Sequence, residues 1–417
     1  MRIELINTGT ELLLGDVVNT NAAWLGRQLA ALGLQLARVT MVPDGAAIKD
    51  AIAEAAARCD VLLVSGGLGP TNDDITREAT AEILGLPLVQ SPEETARLEA
   101  YFAKRNKTVA AANLRQAMVP VGAHVMPNDF GTAPGLYFPS DLAAARGCHC
   151  HIFLLPGPPR ELQPMMERHV EQRLRGMLPN GRDRRILYLK LSGIGESEIV
   201  EAVEKDLEAI PDLDLGYCIG RGDVDVRLAG SLEVVARGTQ VVRNKLASQI
   251  VSEDRRLLEE VVVQFLADRG EWLATAESCT GGFLASRVTD VSGASAVFGH
   301  GFITYANAAK QRCLGVPASL LEEFGAVSEP VASAMAEGCL LASAADHALA
   351  VTGIAGPSGG TEAKPVGTVF IGLASKGQPT LVRRCLFPTT RDRFKILTTQ
   401  AALDLLRLRL RDVSLTA

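Results

Sequence analysis

A run of hydroxyls, one tyrosine and one lysine in the last third of the chain has the makings of acyl-transfer chemistry. Ala276-Glu277-Ser278-Cys279-Thr280-Gly281-Gly282 follows an apolar stretch and opens a helical pattern. Ser278 and Thr280 would therefore project hydroxyls at a helix N-terminus, where anions are stabilised. Ser292-Gly293-Ala294-Ser295 comes next, then Phe302-Ile303-Thr304-Tyr305-Ala306-Asn307-Ala308-Ala309-Lys310, Val327-Ser328-Glu329-Pro330 and Val351-Thr352-Gly353-Ile354-Ala355-Gly356. His300 is the one histidine near these motifs, which argues against a Ser-His-Asp triad. Serine with lysine, assisted by tyrosine, suffices for acyl transfer if Lys310 loses its proton through desolvation or nearby cations. Backbone N–H groups of Thr352-Gly353, or of the Thr280-Gly281-Gly282 turn, are candidate oxyanion donors. Singly, each residue has an ordinary explanation: Ser278 and Thr280 as helix caps, Tyr305 as a core aromatic, Lys310 as a solvated helix residue. The combination is poorly explained that way.

A second constellation occupies the first third. Three turns follow three apolar runs: Thr8-Gly9-Thr10-Glu11, then Gly66-Gly67-Leu68-Gly69-Pro70-Thr71-Asn72-Asp73-Asp74, then Leu155-Pro156-Gly157-Pro158-Pro159-Arg160-Glu161. Glycines at Gly9, Gly66, Gly67, Gly69 and Gly157 let backbone N–H groups approach a phosphate, and a following helix N-terminus adds favourable partial charge. Asp44, in Val42-Pro43-Asp44-Gly45, falls at the same predicted edge. Asp44, Asp73 and Asp74 offer the hard oxygen donors that Mg²⁺ takes alongside substrate phosphates. A glycine pair after one strand is ordinarily just a tight turn. Three such turns with a carboxylate cluster at one edge point to a phosphate-containing ligand.

Both constellations need scaffolds, and the patterning supplies them. Residues 2–9, 36–44, 60–67 and 151–157 read as strands running into turns, alternating with helical patterns at 19–32, 46–57, 73–84, 92–104 and 160–175. Strands alternating with helices imply a mostly parallel sheet covered on both faces, hence an α/β unit near 1–175. From 180 to 252 the order is strand, helix, strand, strand, helix, a small α+β layer. A third, α/β unit begins near 254: an amphipathic helix closed by Gly270, strands over Trp272–Ser278, 298–306, 347–353 and 367–375, a helix over 329–344, and a long final helix from about 391.

The motifs resemble a known family. GTELLLGDVVNTN, GGLGPTNDDIT and LPGPPRE look like the molybdopterin-binding-like domain of the CinA (competence/damage-inducible) family. That resemblance implies an ADP-ribose pyrophosphatase needing a divalent metal (Mg, Co or Mn), with Asp44 and Asp74 as the metal or catalytic carboxylates and Glu11 as a third candidate. AESCTGG, FITYANAAKQRCLGV, GAVSEPVA and TGIAGPSGGTEAKPVGTV look like the C-terminal, nicotinamide mononucleotide deamidase domain of the same family. This implies hydrolysis of the carboxamide to nicotinate mononucleotide and ammonia without metal or other cofactor. Family residues match Ser278, Ser295, Tyr305, Lys310, Thr352 and Gly353. Our assignment is Ser295 as nucleophile, activated by Tyr305 and Lys310, with Ser278 and Thr280-Gly281-Gly282 positioning substrate; Ser278 as nucleophile is the alternative. Arg391, in Pro388-Thr389-Thr390-Arg391-Asp392 at the last helix's start, is assigned to substrate phosphate. The resemblance also makes the middle layer KH-like, but a GXXG clamp and a basic face are both wanting. We take that layer as a linker and dimerisation element of an expected homodimer.

Weaker signals lose to ordinary explanations. Cys148-His149-Cys150-His151 alternates along one strand, so its four side chains cannot converge on one Zn²⁺. Gly193-Ile194-Gly195-Glu196 lacks the third glycine of a dinucleotide fingerprint and reads as a turn before a helix. The eight cysteines are scattered and make no disulfide framework. Among 417 residues the net charge is −6, and aromatics are only 5%, which speaks against a basic nucleic-acid coat or a stacking platform. Residues 381–417 run the other way, with eight basic residues against three acidic. No apolar run approaches the roughly 18 residues of a membrane span. Charge and glycine near the N-terminus argue against a secretory signal, so a cytoplasmic location is expected.

The expected whole is a bifunctional enzyme of pyridine-nucleotide salvage acting on nicotinamide mononucleotide and ADP-ribose-like molecules, with neither membrane nor nucleic acid as partner. Two rivals stand beside it: an N-terminal unit that binds nucleotide or pterin without turnover, and a non-enzymatic partner in DNA uptake or recombination.

Overall fold

The structure, a computed structural model, describes residues 1–144, 149–178 and 184–411. The chain forms two compact units, Met1–Asp183 and Arg184–Ala417, so the boundary read near residue 254 lies inside the second.

The first unit holds β1 (Ile3–Thr8), β2 (Leu36–Val42), β3 (Val61–Ser65), β4 (Leu88–Gln90), β5 (Met118–Pro120), β6 (His124–Met126), β7 (Gly135–Phe138) and β8 (His151–Leu155). Six of these form one sheet in the order β2-β1-β3-β8-β7-β6. The four strands read from sequence pair in parallel, and β7 and β6 extend the sheet antiparallel. β3 shows why the parallel strands read as continuous apolar runs. Val61 and Leu63 join a core with Ile3, Leu5, Leu25 and Leu29, while Leu62 and Val64 join the opposite core with Ile6, Ile48 and Ile52. Each face is covered, so both alternating sets must be apolar. β6 and β7 have three and four residues, too short for a period to show.

The second unit begins with β9 (Arg184–Ser192), β10 (Asp214–Ile219), β11 (Asp223–Ser231) and β12 (Ile250–Ser252), an antiparallel sheet in the order β10-β11-β9-β12. The helices Glu196–Glu208 and Leu232–Leu246 bury Ile199, Val203, Leu207, Val235 and Val242 in its core. A second sheet follows: β13 (Leu273–Glu277), β14 (Phe298–Ile303), β15 (His347–Gly353), β16 (Thr368–Ser375) and β17 (Gln378–Leu386), in the order β14-β13-β15-β16-β17. β13 is parallel to β14 and β15, and β16 and β17 are antiparallel additions. β17 escaped the sequence reading because Arg383 and Arg384 stand side by side and break its alternation.

Alternation along β13 and β15 again serves two cores. Leu273, Leu349 and Val351 pack with Leu403 and Leu406 of the final helix. Ala274, Ala276, Ala348 and Ala350 face Val331, Met335 and Cys339 of the helix Glu329–Ser343. No helix among the described residues is long and apolar enough to cross a membrane.

Candidate functional site

Because β13, β14 and β15 run in parallel, their carboxyl ends form one edge, and this edge collects most of the predicted residues. Ser278 follows β13, and its backbone N–H donates to Val351 O at 3.0 Å. Thr304 follows β14 and donates its N–H to Glu277 O at 2.7 Å. Lys310 lies on the helix Asn307–Leu314 beyond that turn. Its side chain runs inward and is only 1% exposed, although lysine is normally solvated. Nζ lies 3.1 Å from Ser278 Oγ, 2.8 Å from Thr304 O and 3.3 Å from Tyr305 O. Burial pushes the Lys310 amine below its ordinary value. Ser278 itself is half-buried.

Arg391 opens the helix Arg391–Leu410 and closes the other side of this edge. Its guanidinium donates to Gly356 O at 3.0 Å and to Tyr305 Oη at 2.9 Å. The exposed Tyr305 ring thus hangs between the lysine turn and the arginine. Cys279, beside Ser278, offers no rival nucleophile: burial pushes its thiol up to about 12, despite the nearby Lys310 and Arg391 charges.

Ser295 is elsewhere. It sits exposed in the short helix Ala294–Ala296, just before β14. Val297 O accepts from Leu273 N, at the start of β13. Ser295 therefore lies at the amino edge of the sheet, a strand's length from Ser278, and none of the Lys310 contacts reaches it. The assignment that paired Lys310 with Ser295 is corrected on this geometry: the lysine's hydroxyl partner is Ser278.

The remaining predicted residues divide between contact and scaffold. Gly281 N donates to Ser278 O and Gly282 N to Glu277 Oε2, so the amides of this glycine pair are committed within the turn. Sequence reasoning overlooked Glu277, whose carboxylate is 1% exposed and also accepts from Leu284 N and Ala285 N. It caps the helix Phe283–Thr289 in place of a ligand anion; its position directly before Ser278 was the available signal. Thr280 is fully buried, with no partner for Oγ1. Thr352 is buried and donates to Ala326 O at 2.7 Å. A Cβ at Gly353 would lie 2.8 Å from Thr368 O and 3.0 Å from the Phe394 ring, so only glycine fits that close approach. A Ser-His-Glu array does exist, at the opposite edge. His347 Nδ1 lies 2.9 Å from Ser375 Oγ, and Nε2 lies 3.1 Å from Glu271. Ser375 is buried there and closed to substrate.

In the first unit the three glycine turns and the aspartates converge on one cleft of about 370 Å³ at the carboxyl ends of the parallel strands. Gly9, Glu11, Asp44, Gly66, Gly67, Gly69, Asp74 and Gly157 all line it. Gly66 and Gly67 have φ of +105° and +67°. A Cβ on Gly66 would run into Thr8 Oγ1, and one on Gly67 into Thr76 Oγ1. Both hydroxyls are buried without a partner, so the turn cradles two uncommitted hydrogen-bonding groups. The sequence reading missed these two threonines and Glu161, although each stood inside a quoted motif. Asp44 Oδ2 accepts from Thr10 N at 3.0 Å, and Asp74 Oδ2 accepts from Thr71 N at 2.9 Å and from the Thr71 hydroxyl. Among the described residues no three His, Cys, Asp or Glu side chains converge as a ready-made metal cage. A hard cation would rest on the two aspartates and on ligand phosphate together, the pattern usual for Mg²⁺.

Of the Cys/His run, Cys148 lies outside the described residues. Cys150 faces one core, and His151 turns to Tyr137 on the other.

Comparison with known proteins agrees with this division. Residues 4–176 match the model of a "probable molybdopterin binding domain", and residues 255–410 match that of the "CinA C-terminal domain". A "CinA-like protein" of Akkermansia muciniphila is 48% identical over 406 residues, covering 97% of this chain and 96% of that protein. A "putative competence-damage inducible protein" of Symbiobacterium thermophilum is 46% identical over 388 residues, covering 91% and 89%. The crystal structure of a competence/damage inducible protein from Agrobacterium tumefaciens is 40% identical and covers 37% of this chain and 94% of its own, with a TM-score of 0.36. With near-complete relatives at this identity and two family models in register with its two site-bearing regions, the chain belongs to the CinA family of competence-damage inducible proteins.

Proposed function

We propose that the second unit is an amidohydrolase acting on the carboxamide of nicotinamide mononucleotide, with Ser278 as nucleophile and Lys310 as its base. The observation that carries this reading is the 3.1 Å contact between the buried Lys310 Nζ and Ser278 Oγ. A neutral amine has two N–H bonds and one lone pair. The carbonyls of Thr304 and Tyr305 take the two N–H bonds, leaving the lone pair for the Ser278 hydroxyl. Ser278 Oγ attacks the carboxamide carbon as its proton passes to Lys310. The resulting ammonium returns that proton to the departing ammonia, and water releases nicotinate mononucleotide from the acyl-enzyme. Arg391 and the Tyr305 hydroxyl, joined at 2.9 Å, hold the substrate's phosphate end. The test is ammonia release from nicotinamide mononucleotide by the full chain and by Ser278→Ala; undiminished release by the variant would end the serine mechanism.

The first unit we read as a metal-dependent hydrolase of ADP-ribose or a similar pyrophosphate. The Gly66-Gly67 cradle and the Thr8 and Thr76 hydroxyls would seat phosphate oxygens, and Asp44 and Asp74 would hold a divalent cation against them. A bound cation would supply neutralisation of developing phosphate charge. AMP release from ADP-ribose, with Mg²⁺, Co²⁺ or Mn²⁺ and without, separates turnover from binding alone.

A further inference from the structure

Cys59 and Cys150 are 91 residues apart in the chain, yet their sulfurs lie 3.5 Å apart in the first unit. Cys59 leads into β3 and Cys150 into β8, adjacent parallel strands whose register pairs Val61 with His151. His151 N donates to Asp60 O at 2.9 Å, which holds the two approaches together. Both thiols belong to the same core, with Cys59 7% exposed and Cys150 fully buried. Neither takes part in the cleft at the other end of these strands.

We propose that Cys59 and Cys150 are a peroxide-responsive pair that closes to a disulfide and staples β3 to β8. The backbone here is already paired through His151 N and Asp60 O, and bonding requires the sulfurs to approach to about 2.05 Å with a Cβ–S–S–Cβ dihedral near about 90°. Cys59 is the more accessible thiol, and its hydrogen-bonding contact with Cys150 lowers its pKa against the effect of burial. Its sulfur attacks one oxygen of hydrogen peroxide; the O–O bond breaks, leaving Cys59 sulfenic acid and water. The Cys150 sulfur then attacks the sulfenic sulfur. The S–S bond forms, and the hydroxyl leaves with the Cys150 proton as a second water. Two thiols are oxidised by two electrons, and one peroxide is reduced to two waters. The closed loop is long, so the bond restricts the unfolded chain strongly and raises the unfolding temperature of this unit. The carboxyl ends of the same strands carry the Gly66 and Gly157 turns, so the staple stiffens the frame of the cleft while leaving its residues untouched.

The experiment treats the full chain with hydrogen peroxide or with dithiothreitol, unfolds it, alkylates free thiols and maps tryptic peptides by mass spectrometry. Cys148 shares the tryptic peptide 147–160 with Cys150, so the same treatment is given to Cys148→Ser. The expected result is a reducible cross-link between the Cys59 peptide and the Cys150 peptide that persists in Cys148→Ser and vanishes in Cys59→Ser. Recovery of both cysteines alkylated after peroxide would overturn the proposal. So would recovery of Cys59 as sulfinic acid with Cys150 alkylated, or a cross-link lost in Cys148→Ser.

Discussion

Lys310 Nζ stands 3.1 Å from Ser278 Oγ, across 32 residues of sequence, while Ser295 sits at the far end of the neighbouring strand. In amide hydrolysis Ser278→Ala is therefore expected to lose on the order of 10³-fold or more in kcat. Ser295→Ala should stay within a few-fold of the parent. The reverse pattern in a steady-state ammonia assay would return the nucleophile to Ser295.

The lysine's role has a pH signature. Burial lowers its pKa below the ordinary 10.5, so kcat/KM should rise with pH towards that lowered value and level off above it. Lys310→Arg keeps the charge but cannot shed the proton, and a loss of roughly 10²- to 10⁴-fold at every pH is expected. Stability carries the same sign. Between the folded and unfolded pKa values the unfolded chain binds more protons, so stability climbs with pH there. Lys310→Met should abolish this climb in urea titrations; a climb of equal size in the variant would exclude Lys310 as its source.

Arg391 links Gly356 to Tyr305 at the mouth of the site. If it grips the substrate phosphate, Arg391→Ala should raise KM by roughly 10- to 100-fold while kcat falls far less. An unchanged KM for nicotinamide mononucleotide would leave Arg391 with only its structural bonds.

Glu277 accepts three backbone N–H bonds and shapes the turn that carries Ser278. Glu277→Gln keeps one carbonyl oxygen and loses the charge. A drop in unfolding free energy of about 1–3 kcal/mol is expected, with reduced deamidation. Chemical denaturation with far-ultraviolet circular dichroism reads the first; a variant as stable as the parent would show that the cap contributes little.

In the first unit, Asp74→Asn and Asp44→Asn should each abolish metal-stimulated AMP release from ADP-ribose and leave deamidation unchanged. Persisting stimulation in both variants would remove the two aspartates as cation ligands.

The elements were legible to different degrees. β3 and β8 announce themselves because strands buried on both faces are apolar almost throughout, whereas β1, β13 and β15 carry buried polar residues (Glu4, Asn7, Thr275, Glu277, Thr352) and read as strands from their apolar residues and the glycine turns that follow. β6 and β7 are too short to show a period, and β17 hides behind adjacent arginines. The first-unit cleft was largely legible, since its three turns each follow a recognisable parallel strand and parallel strands end at one edge. Thr8 and Thr76 went unseen because a threonine near a turn carries no mark of being buried and unpartnered.

The sequence by itself determined the α/β architecture, the family and the chemical inventory of both sites. These depend on local patterning and contiguous motifs, which a single strand or turn can carry. Pairing between distant residues was decided only in three dimensions. Lys310 meets Ser278 because β13 and β14 are parallel neighbours, so residues just past their carboxyl ends converge, while Ser295, just before β14, is carried to the opposite edge. Cys59 meets Cys150 for the same reason at the amino ends of β3 and β8. Spacing along the chain does not encode which strand ends become neighbours; sheet order and strand direction do.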